Sequence, residues 1–170
     1  MTKQTLLIMR HAKSDWSGNK HSDFDRPLNK RGLSDAAKMG TWLKKQKLVP
    51  DCIVSSPAIR AKQTIQLVCE QLNKNAAGII WDERIYEARL DDLLQVISER
   101  GKKSKCTLLI GHCPGLEHLL TYLSKDEPAR NGEGKLMTTA AIAVMEFGKE
   151  GIRDKPGTGK IIKLARPKEI

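Results

Sequence analysis

The chain has 170 residues, 39% of them hydrophobic, which is enough for one compact core and too little for two ordinary domains. Its 30 basic side chains against 20 acidic ones give a net charge of +10, which favours anionic partners without specifying the anion. The basic residues are scattered through Lys44-Lys45, Lys102-Lys103-Lys105 and Lys160 to Lys168 with little aromatic interleaving, so they read as solvated faces and argue against nucleic-acid binding.

Along the chain, Met1 to Thr5 is polar and leads into a short apolar run that Arg10-His11 stops. Neither a signal peptide nor a membrane span fits this pattern, and a cytoplasmic protein is expected. Thr5 to Met9 is the first predicted strand. Helical spacing of Leu33, Ala36, Ala37, Gly40 and Leu43 predicts a core-facing helix next. Cys52-Ile53-Val54 is a second buried strand, and Ala61, Ile65, Val68 and Leu72 predict the helix after it. A weak strand at Gly78 to Trp81 precedes a helix over Asp91 to Glu99, with Leu93, Leu94 and Ile97 inward. Cys106 to Ile110 is another strand, and Gly115 to Leu123 another helix, with Leu116, Leu119, Leu120 and Leu123 inward.

Beyond residue 136 the pattern changes to two strands, Thr139 to Phe147 and Lys160 to Leu164, around a Gly/Pro-rich turn at Gly148 to Gly159. The fold class is α/β. The chain should form a single three-layer domain, with a mostly parallel sheet, helices on both faces and a C-terminal antiparallel hairpin.

In such sheets ligands gather beyond the carboxyl ends of the strands. Three polar turns exit there: Arg10-His11, then Ser55-Ser56-Pro57 with Arg60, then Gly111-His112-Cys113-Pro114-Gly115. Two arginines and two histidines suit a phosphoryl group, because guanidinium forks bind phosphate oxygens and keep their charge. Those cations should also depress the pKa of a neighbouring imidazole, leaving His11 neutral and nucleophilic near pH 7.

The four cysteines, Cys52, Cys69, Cys106 and Cys113, form no CxxC pair, and none belongs to the Cys-x5-Arg arrangement of thiol phosphatases. They read as reduced thiols. His21 and His118 have no metal-ligand spacing to the active-site histidines and read as structural or exposed. Trp16, Trp42 and Trp81 read as packing residues, with Trp16 also a candidate for the rim of the pocket.

Leu7-Ile8-Met9-Arg10-His11-Ala12 resembles the Arg-His-Gly signature that ends the first strand in the histidine phosphatase superfamily, a phosphoglycerate mutase-like fold. The segments Asp25 to Gly32, Ser55 to Thr64 and Gly111 to Gly115 are similar to its later motifs, in order. Within the superfamily the chain looks most like the phosphohistidine phosphatase (SixA) branch, whose members are short and often open with Arg-His-Ala-Lys-Ser, as Arg10 to Ser14 do here.

The resemblance implies a phosphatase in which His11 becomes phosphorylated and water then releases phosphate, with Arg10, Arg60 and His112 holding the transferring group. It implies no metal and no organic cofactor. Ser17 stands where mutase-like members have asparagine and is a candidate phosphate ligand. Ala12 replaces the signature glycine, and Cys113 a common asparagine. Glu87 lies near where relatives place an acidic proton donor.

Only about fifty residues separate Arg60 from His112, and the predicted elements consume most of them, so residues 1–170 are expected to form one domain without a large cap. An open pocket favours phosphate carried on a protein, such as phosphohistidine on a histidine phosphotransfer domain. Two other readings use the same pocket: a small-molecule phosphomonoesterase, acting on a small phosphate ester, and a non-catalytic phosphate-binding module.

Overall fold

A computed structural model of the chain describes residues 3–18 and 20–170. Met1 and Thr2, part of the polar N-terminal stretch read above, lie outside the described residues. The elements run β1 (Gln4–Arg10), α1 (Lys30–Lys45), β2 (Cys52–Ser55), α2 (Ile59–Leu72), β3 (Ile80–Trp81), α3 (Leu90–Arg100), β4 (Cys106–Gly111), α4 (Gly115–Leu123), β5 (Ile142–Phe147) and β6 (Gly159–Ala165). The strands form one sheet in the order β3-β2-β4-β1-β5-β6. β1 to β4 are mutually parallel, and β5 runs antiparallel to both β1 and β6.

Alternation along β1 divides the core. Leu6 and Ile8 face α3 and α4, while Leu7 and Met9 face α1 and α2. Both faces of the central strands are therefore dry, which is why β1, β2 and β4 read as unbroken apolar runs. Among the described residues no helix is long and apolar enough to cross a membrane.

Three expectations need correction. The buried stripe of α1 is Gly32, Ala36, Met39, Gly40 and Leu43, whereas Leu33 is exposed and Ala37 only half-buried. Register decides this: Asn29 caps the helix by accepting from the Gly32 N–H at 2.8 Å, and that turn sets which face meets the sheet. The first hairpin strand begins at Ile142 rather than Thr139, because Ala140 takes a φ of +62° and gives its N–H to the His11 carbonyl at 3.0 Å. Trp16 and Trp81 are exposed rather than packed, at 70% and 40%.

Gly32 ties the helix to the loop after β1. The Lys13 carbonyl accepts from the Asn29 N–H at 3.0 Å, and a Cβ built on Gly32 would lie 2.1 Å from the Lys13 oxygen. No side chain fits there without moving the loop that follows His11. Gly32→Ala should therefore cost about 1–3 kcal/mol of stability in urea denaturation. Gly78→Ala, where a Cβ would meet nothing within 4 Å, should be close to neutral in the same experiment.

Candidate active site

The carboxyl ends of β1, β2 and β4 bring the site together. Arg10 is the last residue of β1, Arg60 lies in the first turn of α2 after β2, and His112 directly follows β4. His11 is pinned through its backbone: its N–H donates to the Gly111 carbonyl at 3.0 Å, and its carbonyl accepts from Ala140 at 3.0 Å. The next N–H, of Ala12, donates to Thr64 Oγ1 at 3.0 Å, and that hydroxyl donates to the Arg60 carbonyl at 2.7 Å. Thr64 thus couples the His11 turn to the helix that carries Arg60. Ala12, in the place of the signature glycine, is fully buried.

The ring of His11 is equally constrained. Nδ1 lies 2.7 Å from the Ala12 carbonyl, which can only accept, so Nδ1 carries the proton. Nε2 is left as the acceptor, and Arg60 Nε approaches it at 3.4 Å. The ring centroids of His11 and His112 are 5.1 Å apart. Burial lowers His11 to about 3, aided by the charges of His112, Arg60 and Arg10 and opposed by the Ala12 hydrogen bond. His112 is lowered to about 4, again chiefly by burial and then by Arg60. The neutral imidazole expected from the sequence is present, but desolvation outweighs the cationic repulsion as its cause.

His112 Nε2 lies 2.7 Å from Ser56 Oγ. Its Nδ1, like Arg10 Nε, is buried without a hydrogen-bond partner among the described residues. Arg10 is fixed at its far end, where Nη1 donates to the Met137 carbonyl at 2.9 Å. Arg60 is held by Asp23, with Nη1 on the backbone carbonyl at 2.5 Å and Nη2 on Oδ2 at 3.2 Å. The same carboxylate accepts from Tyr86 Oη at 2.5 Å and pairs with Arg26 Nη1 at 2.9 Å. These groups surround a cavity of about 540 Å³.

Of the residues anticipated from the sequence, Arg10, His11, Arg60, His112 and Glu87 line this cavity. Glu87 is exposed and adopts a left-handed φ of +52° at the rim. Ser17 is not brought to it. The turn at Asp15 closes on itself, with the Ser17 N–H donating to Asp15 Oδ1 at 2.8 Å, and the Ser17 side chain is exposed. Cys113 lines the cavity with its thiol pushed up to about 11 by burial, so it packs and does not attack. His21 and His118 are exposed. Among the described residues no group of three or more His, Cys, Asp or Glu is placed to hold a metal ion.

The sequence reading missed Asp23, Arg26, Ser56 and Tyr86. Ser56 and Arg26 stood inside recognised motifs, so their motif position was a usable signal. Asp23 and Tyr86 carried none, because their importance lies in a contact across 63 residues.

The two histidines make stability depend on pH. Both keep an ordinary pKa of 6.5 when unfolded but are held near 3 and 4 in the fold. Below pH 6.5 the unfolded chain binds more protons, so stability is full above 6.5 and is lost as pH falls from there toward 3. Thermal unfolding between pH 7 and 4 should show a falling Tm, by roughly 2–4 °C for each kcal/mol lost in a domain of this size. His11→Asn combined with His112→Asn should flatten most of that slope.

Comparison with known proteins agrees with this geometry. Residues 6–91 match the family model for the histidine phosphatase superfamily (branch 1). The phosphohistidine phosphatase SixA of Escherichia coli is 30% identical over 86% of this chain and 87% of its own. An uncharacterized chloroplastic protein of Arabidopsis thaliana is also 30% identical, over 84% of this chain and 66% of its own. The structure of the protein histidine phosphatase SixA complexed with tungstate superposes with a TM-score of 0.79 at 24% identity, covering 98% of this chain and 99% of that one, and so shares the fold. With four ordered motifs converging on one cationic pocket, the chain belongs to the histidine phosphatase superfamily and is a phosphatase of that fold.

Proposed function

We propose that this protein is a phosphohistidine phosphatase in which His11 Nε2 is the nucleophile, acting in the cytoplasm on phosphate carried by another protein, such as a histidine phosphotransfer domain. The observation that carries this reading is the bond from His11 Nδ1 to the Ala12 carbonyl. It leaves Nε2 unprotonated and directed at Arg60 in a cationic pocket.

In the first step Nε2 attacks phosphorus, the substrate's nitrogen-phosphorus bond breaks, and the departing imidazole leaves neutral after taking up a proton. In the second step water attacks the phosphorus on His11, and phosphate leaves while Nε2 recovers its lone pair. Arg10, Arg60 and His112 hold the equatorial oxygens, where positive charge matters most. Two buried donors support this assignment, since Arg10 Nε and a protonated His112 Nδ1 have no hydrogen-bond partner among the described residues and would be satisfied by phosphoryl oxygens.

A protein-borne substrate is favoured by the mouth of the pocket. Between Arg60 and His112 the chain is consumed by α2, β3, α3 and β4, in keeping with a single domain over residues 1–170 that has no large cap. Trp16 stands 70% exposed at the rim, its ring covered on one side by the Arg26 guanidinium 3.8 Å from the centroid. An exposed aromatic anchored by a fixed cation is suited to contact a partner surface. Glu87 is the candidate proton donor for esters, which need one more than a phosphoramidate does.

Purified protein should release phosphate from a phosphohistidine-bearing phosphotransfer domain faster than it hydrolyses p-nitrophenyl phosphate. His11→Ala should abolish both the release and an acid-labile phosphoenzyme, and Arg60→Ala should lower turnover by about 10²–10³-fold. Preference for the ester, with loss of activity in Glu87→Gln, would instead identify a small-molecule phosphomonoesterase. Trp16→Ala should weaken turnover of the phosphoprotein roughly tenfold through KM while leaving a phosphohistidine peptide almost unaffected. Equal effects on both would show that Trp16 is not a docking residue.

A further inference from the structure

Asp23 occupies an unusual place in the pocket. Its carboxylate is half-exposed and belongs to the loop between β1 and α1, yet it meets two guanidiniums and a phenol at once. Both terminal nitrogens of Arg60 are committed to this one residue, through the backbone carbonyl and Oδ2. That leaves Nε as the part of the Arg60 fork directed at His11. Arg60 is long and has four side-chain torsions to fix, so without such an anchor its head group would sample several positions.

The geometry points to Asp23 as a positioning residue for phosphoryl transfer, holding the Arg60 head group so that Nε faces His11 Nε2, with Tyr86 and Arg26 holding Asp23 in turn. This rests on the reading of His11 as the nucleophile. Asp23 is unsuited to proton donation, because the Tyr86 hydrogen bond, with Arg60 and Arg26, holds its carboxyl at about 2. Tyr86 is correspondingly pushed up to about 12, first by its bond to Asp23, and stays a neutral donor at working pH. The carboxylate also offsets part of the charge of the two arginines, which limits how tightly the product phosphate is retained.

Asp23→Asn tests this with little change of shape. The amide keeps one acceptor oxygen but presents N–H groups to guanidiniums, so the carboxylate half of the clamp, on Arg60 Nη2, is lost while the backbone carbonyl still accepts from Nη1 and the loop remains. On a phosphohistidine peptide, kcat should fall roughly 10–100-fold, the scale of a small misplacement of a catalytic group. KM should change little, inhibition by inorganic phosphate should become stronger, and Tm should hardly move. Tyr86→Phe, which removes only the hydroxyl on the carboxylate, should give a smaller fall in kcat of the same kind. An unchanged kcat would overturn the inference. A raised kcat would overturn it too, and would make Asp23 an anion competing with substrate.

A second readout does not depend on turnover. In the ¹⁵N spectrum of His11, loss of the Arg60 hydrogen bond in Asp23→Asn should move the Nε2 resonance downfield while Nδ1 stays protonated. An unmoved Nε2 resonance would refute the positioning role. If the wild type released no phosphate from phosphohistidine, the proposed function would fail, and the resonance would still decide whether Asp23 aims Arg60 at His11.

Discussion

The hydrogen bond from His11 Nδ1 to the Ala12 carbonyl, 2.7 Å long, determines which ring nitrogen faces the pocket. A neutral imidazole has one proton to place, and a carbonyl that can only accept takes it. The other nitrogen is then nucleophilic without help from a separate base. The bond is short-range in sequence but depends on distant partners, because Ala12 is itself held by Thr64, and His11 by Gly111 and Ala140. Two strand ends, one helix and the segment leading into the hairpin therefore converge on the orientation of a single ring.

Burial and charge act together on that ring. Removing His11 and His112 from water disfavours their protonated forms more than the neighbouring arginines do. The arginines bring guanidinium groups, which are weakly hydrated and suited to buried sites, and each has fixed acceptors: Met137 for Arg10 and Asp23 for Arg60. The site so combines neutral nitrogen and permanent cation within a few ångströms, as attack on an anionic phosphoryl group requires.

Much of this was legible in the sequence because it depends on local pattern. Unbroken apolar runs marked β1, β2 and β4, and their polar exits marked Arg10, His11, Arg60 and His112. What escaped was set by tertiary contact. Leu33 has the right spacing for the core, but the approach of Gly32 to the Lys13 carbonyl turns α1 so that Leu33 faces water. Thr139 and Ala140 have the composition of a strand but are bent to serve His11. Ser17 sits in the expected position for a phosphate ligand, yet the Asp15 turn takes it away. Asp23 and Tyr86 meet only because β1 and β3 deliver their following loops to the same end of the sheet.

The four cysteines have a consequence for chemistry outside the reaction. All are free, and burial raises each thiol, Cys106 and Cys113 to about 11. Peroxide attacks thiolate, and a pocket thiol held protonated is a slow target. Phosphatases that attack with cysteine are switched off by the same oxidation that their nucleophile invites. Under the proposed function the attacking atom is nitrogen, and the Cys113 sulfur in the pocket wall is held protonated by burial. A phosphatase that attacks with nitrogen presents no nucleophilic thiolate for peroxide to oxidise.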